Sequence, residues 1–186
     1  MKEEARRARN EQRMTELYPV FASRVKTIIA GLEAAGYRPR IQDAWRSPES
    51  QLEAFNRGTS KLKFGFHNVT NGNGTSESLA VDLLDDDFPL NSRGDYLLRL
   101  ASVASTVSCQ TGILWGLPAH LRKAVLTAIE AQDWNVRLKI GWDPTHIEPI
   151  DLTVADAKAG KRPTDAAGRG TQRSRGRNRP SRARSK

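Results

Sequence analysis

The sequence predicts an α+β fold, a small antiparallel sheet with helices packed on it, followed by a disordered basic C-terminal tail. Three observations lead there. Apolar residues recur at helical spacing in several separate stretches. The segments with strand character are short and lie scattered between those stretches, as suits a small sheet covered on one face. The whole net charge of +9 gathers at one end of the chain.

Residues 1–14 read as a charged N-terminal extension of the first helix. That helix is carried by Leu17, Phe21, Val25, Ile28 and Leu32, with Pro19 tolerated in its first turn and Gly36 placed to end it. Arg38 to Trp45 reads as a short strand. Ser47 as N-cap and Pro48 at the first helical position open a second helix through Gln51, Leu52 and Phe55, and Gly58 stops it. Residues 68–78 hold one strong β-former, Val69, among Asn, Gly, Thr and Ser, which predicts an exposed loop or hairpin tip. Leu79 to Leu84 follows as a buried strand. A third helix spans 93–108, and a fourth follows Pro118 through Leu121, Val125, Ala128 and Ile129. Val136 to Ile140 alternates apolar and basic residues, the period of a half-buried strand. Strands are thus expected near residues 41, 81, 114, 138 and 147.

The charge has a location. Residues 161–186 hold ten Lys or Arg against one acid, Asp165, whereas residues 1–160 hold 20 basic and 20 acidic side chains. A dedicated nucleic-acid domain would carry a basic face on its body as well. The domain is therefore placed at 15–155 and the tail at 156–186, too poor in apolar residues to fold. A membrane-spanning helix needs about 20 consecutive apolar residues, and no stretch offers them. Met1 to Arg13 is charged with no apolar run behind it, which speaks against a Sec signal and for synthesis in the cytoplasm. With Cys109 as the single cysteine, a disulfide framework or thiolate metal site within one chain is excluded, and any metal is held by nitrogen and oxygen.

Three histidines are present. His67 precedes the polar loop, Asp82 lies on the strand after it, and His146 sits in Gly141-Trp142-Asp143-Pro144-Thr145-His146-Ile147-Glu148. A catalytic zinc site takes three such ligands and leaves a fourth position open. His120 reads as a solvated residue at a helix start. Trp45, Trp115, Trp134 and Trp142 read as core and rim packing, and Asp85-Asp86-Asp87 as a solvated turn.

Ala80-Val81-Asp82, Trp142-Asp143-x-x-His146-x-Glu148 and Trp45-Arg46-Ser47-x-x-x-Gln51, with Trp115-Gly116 between, resemble the zinc peptidases of bacterial cell walls over residues 15 to 150. That family includes VanY-type D-alanyl-D-alanine carboxypeptidases and phage L-alanyl-D-glutamate endopeptidases used as endolysins. The resemblance implies zinc held by His67, Asp82 and His146, with Asp143 as general base and Arg46 with Gln51 as the substrate-binding arginine motif. It also implies a peptidoglycan stem peptide as substrate, action at the cell wall after holin-type release or from a virion, and a monomer. Glu148 fits a partner that orients a ligand histidine, and Arg46 fits an oxyanion stabiliser or carboxylate clamp.

The chain departs from the family's S-x-H-x-x-G-x-A-x-D pattern. His67 and Asp82 stand fifteen residues apart, Gly65 replaces the serine, and Ser78 replaces the glycine. Thr75, Ser76 and Ser78 are the alternatives for the missing serine's substrate contact. An endolysin is the expected function, with the carboxypeptidase as runner-up. A reading from another class is an inactive polyanion-binding or virion module. In each case residues 161–186 are the candidate site for anionic wall polymers, lipid phosphates or nucleic acid.

Overall fold

A computed structural model describes residues 1–90 and 92–165. Among the described residues there are six α-helices and a four-stranded antiparallel sheet: α1 (Glu3–Met14), α2 (Pro19–Ala34), β1 (Pro39–Asp43), α3 (Pro48–Asn56), β2 (Val81–Asp85), α4 (Gly94–Thr106), β3 (Cys109–Gly112), α5 (Ala119–Glu130), β4 (Asp143–Pro149) and α6 (Val154–Lys158). The strand order is β1-β2-β4-β3. Helix α2 packs on β1, α4 packs on β3 and β4, and the two helices pack on each other. Phe21, Val25, Ile28 and Leu32 of α2 meet Ile41, Leu83, Leu100 and Ile147 in the fully buried core. Each such side chain contributes about 1.5–3 kcal/mol by leaving water.

The first fourteen residues are a separate helix rather than an extension of α2. Tyr18 precedes Pro19, and the proline ring keeps it in extended backbone, so one helix cannot run into the next. The charges of α1 have structural work. Its Asn10 takes the place of a neighbouring strand at the free edge of β1, donating to Pro39 O at 2.9 Å and accepting from Ile41 N at 2.8 Å. Arg6 donates to the same Pro39 O and Arg9 to Ile41 O and Gln42 O. An open edge strand is thereby closed by side chains.

Three further expectations change. Val136 to Ile140 has no strand partner among the described residues. Its alternation survives as burial, with Val136, Leu138 and Ile140 packed on the core while Arg137 and Lys139 are exposed. The strand expected near 114 lies earlier, at Cys109–Gly112, and a turn follows it. Asp85-Asp86-Asp87 is an ion-paired corner rather than a solvated turn: Asp85 and Asp86 are buried, Asp86 pairs with Arg40 at 2.8 Å, and Asp87 pairs with Arg38 at 2.6 Å.

The tail boundary also moves. Thr153 and Asp156 form a reciprocal cap that starts α6. Ala157 is buried, Arg162 donates to Glu77 at 2.9 Å and to Thr70 O at 2.7 Å, and Thr164 O accepts from Arg24. Residues 156–165 are therefore part of the folded body. The remainder of the expected tail, 166–186, lies outside the described residues.

Candidate metal centre

Strands β2 and β4 are antiparallel neighbours, and their register sets Asp82 opposite His146. That pairing alone delivers two of the three ligand candidates. The third, His67, comes from a single 3-10 turn, Phe66–Asn68, lashed to the segment after β1. Arg46 N donates to His67 O at 2.9 Å, and the Asn68 amide donates back to Arg46 O at 2.8 Å. The fifteen-residue separation is absorbed by a hairpin. Thr70 bridges Ser76, Glu77 N donates to Val69 O, and Gly74 takes the left-handed turn position.

His67 Nε2, Asp82 Oδ1 and His146 Nδ1 form a group of ligand atoms all within 4.8 Å of one another. The imidazole nitrogens are 3.3 Å apart, and Asp82 Oδ1 is 3.2 Å from His146 Nδ1 and 3.5 Å from His67 Nε2. The far side of each ring fixes its tautomer. Ala44 O can only accept, so His67 carries its proton on Nδ1 and turns the Nε2 lone pair inward. The Glu148 carboxylate lies 3.1 Å from His146 Nε2 and does the same for that ring, leaving Nδ1 inward. Glu148 is steadied in turn by Gln110 at 2.8 Å. Three converging acceptors make a site that can hold a metal ion.

The electrostatics favour positive charge at the same place, a proton on His146 Nδ1 or a metal ion in its stead. Burial alone would raise the Asp82 carboxyl, but the charges and hydrogen bonds of His67 and His146 overcome it and hold the group far below the usual carboxylate range. Burial likewise opposes a charge on His146, and Asp82 and Glu148 overcome it, raising the ring to about 10. The centre favours a positive charge between its carboxylates. Removing the outer carboxylate with Glu148→Ala is expected to weaken metal affinity about 10–100-fold without unfolding the protein, as read by metal titration.

Around this centre is a cleft of about 490 Å³ that also holds Arg46, Gln51, Ser60, Lys61, Trp115, Trp142 and Asp143. Burial, reinforced by the Asp82 charge, pushes the Asp143 carboxyl above its ordinary value. Arg46 is aimed by Asp43, which accepts from Nε at 3.0 Å and from a terminal nitrogen at 2.6 Å, and by Gln51 Oε1 at 3.1 Å. These three bonds leave two of the five guanidinium N–H groups for the cleft.

Two of the expected substrate contacts have other work. Ser78 is fully buried and does not reach the cleft. Its hydroxyl donates to carbonyls of the site's own framework, among them Ala44 O at 3.1 Å, so it steadies the acceptor that orients His67. Gln51 lines the cleft, but its oxygen accepts from Arg46 and its nitrogen donates to Ser60 Oγ and Leu62 O. It positions its neighbours. His120 is exposed on α5 and is not part of this group. Trp142 is not core; it is 52% exposed on the cleft wall beside Trp115, whose ring centroid is 5.2 Å from that of His146.

Two glycines allow β4 to begin beside β3. A Cβ on Gly112 would stand 2.1 Å from Asp143 O, and one on Gly141 would stand 2.2 Å from Gly112 O. Gly112→Ala is expected to cost about 1–3 kcal/mol through backbone displacement, and chemical denaturation measures it. Neither protein-family models nor curated proteins match this chain.

Proposed function

We infer that the chain is a zinc-dependent peptidase that cuts peptidoglycan stem peptides, at the L-alanyl-D-glutamate bond. One observation carries this reading: two oppositely capped imidazoles and a carboxylate converge within 4.8 Å, in a cleft that also presents a half-buried acid and a tethered arginine. His67, Asp82 and His146 would hold the ion, a donor set that fits a catalytic rather than a closed structural site. Zinc bound there supplies Lewis-acid polarisation of a peptide carbonyl and makes water acidic enough to ionise near neutral pH. The same donors suit ferrous iron. Asp143 and Arg46 favour hydrolysis, because it needs a proton carrier and an anion stabiliser beside the ligands.

The residues divide the reaction between them. Asp143 takes the proton of the attacking water on its carboxylate and returns it to the departing amine, a task suited to an acid whose affinity for protons is raised. Arg46 directs its two remaining N–H groups at the oxyanion that grows on the carbonyl. Asp43 and Gln51 hold the guanidinium in place, so that its reorientation costs little during the reaction. Glu148 keeps His146 in the ligand tautomer.

The test is hydrolysis of purified peptidoglycan. Activity is expected to vanish with a chelator and return with zinc but not with ferrous iron. Chelator-resistant hydrolysis would overturn the reading.

A further inference from the structure

The cleft contains two cations in different states. Arg46 is already bonded to Asp43 and Gln51. Lys61 lines the same cleft, and among the described residues no carboxylate lies within ion-pair distance of it. Its ammonium lies 4.8 Å from the Trp142 ring centroid. Trp142 packs on Trp115 at 5.3 Å, and Trp115 packs on His146 at 5.2 Å, so one continuous wall runs from the metal centre to Lys61.

The short loop bearing Lys61 is fastened to the same centre. Its two flanking residues, Ser60 and Leu62, both accept hydrogen bonds from Gln51 Nε2. Gln51 is 3% exposed, and its other amide atom accepts from Arg46. One buried side chain therefore sets the positions of both cations. An ammonium over an indole face keeps its charge available to an anion entering from the cleft.

We propose that Lys61, seated on Trp142, is a specificity-determining residue that pairs with a free carboxylate on the residue next to the scissile bond. The protein then prefers peptides whose carboxylate is free over those in which it is a carboxamide. This rests on the peptidase reading. The division of labour is chemical: Arg46 stabilises charge that develops during the reaction, whereas Lys61 reads charge present beforehand, which acts on KM rather than on kcat.

The test uses the full zinc-loaded chain and two synthetic stem peptides that differ only in acid or carboxamide at that residue. Wild-type protein is expected to favour the acid, and Lys61→Met to lower kcat/KM for the acid about tenfold through KM, the loss of one charge-assisted contact. The carboxamide peptide is expected to change less than twofold, and Lys61→Arg to keep the preference. Equal losses on both peptides, or no loss on either, would overturn the proposal.

Binding is read separately by isothermal titration calorimetry, in zinc-loaded Asp143→Asn protein that does not turn over. Acid-selective binding that disappears with Lys61→Met supports the assignment even if wild-type protein hydrolyses neither peptide, an outcome that would sink the peptidase reading alone. Binding of the acid that is indifferent to Lys61→Met, or no binding of either peptide, overturns the assignment itself.

Discussion

Asp143→Asn is expected to retain its metal and lose about 10²–10⁴-fold in stem-peptide hydrolysis, the usual contribution of a positioned general base. The amide keeps the size of the carboxyl but cannot accept the water's proton. Asp143 lies in the cleft at the start of β4 and is not among the three converging ligand atoms. Metal content and turnover should therefore separate in this variant. If Asp143→Asn lost zinc while Asp82→Asn kept it, the two carboxylates would have exchanged roles.

His67→Ala, Asp82→Ala and His146→Ala are each expected to abolish tight zinc binding and hydrolysis together. With zinc at 100 times its dissociation constant, wild-type protein gains about 2.7 kcal/mol of stability by mass action. The corresponding rise in melting temperature should disappear in all three variants. Asp82→Ala is the most severe in charge, because that carboxylate faces both imidazoles at 3.2 and 3.5 Å. An unchanged zinc-dependent rise in any one of them would remove that residue from the centre.

Much of the candidate centre was legible because the residues it brings together are of scarce types. With three histidines and one cysteine, the combinations able to hold a metal were few. What orients those residues was legible only in part: Glu148 was expected beside a histidine, and its carboxylate lies 3.1 Å from His146 Nε2. The partner of His67 is the main-chain carbonyl of Ala44, which every residue type possesses. Ser78 looked like a substrate hydroxyl, and nothing local to it reveals that three carbonyls lie within its reach. Asp43 gave no signal either, since its bond to Arg46 depends on how the chain turns after β1.

The fold divides along the same line. Helix α2 was readable from apolar spacing, which reports burial directly. Helix α1 was read as an extension of α2, and nothing in its charged sequence shows that Arg6 and Asn10 complete a strand edge. Val136 to Ile140 shows the converse. Alternation predicts which side chains are buried, but a strand also needs a partner, and β3 and β4 pair with each other instead.

Mass spectrometry of purified cell-wall sacculi after digestion by the zinc-loaded protein tests the central claim most directly. The account predicts glycan strands that keep L-alanine and released peptides that begin with a free D-glutamate amine, with neither product formed after chelation. Stem peptides that stay intact, or that lose only a terminal D-alanine, would contradict it.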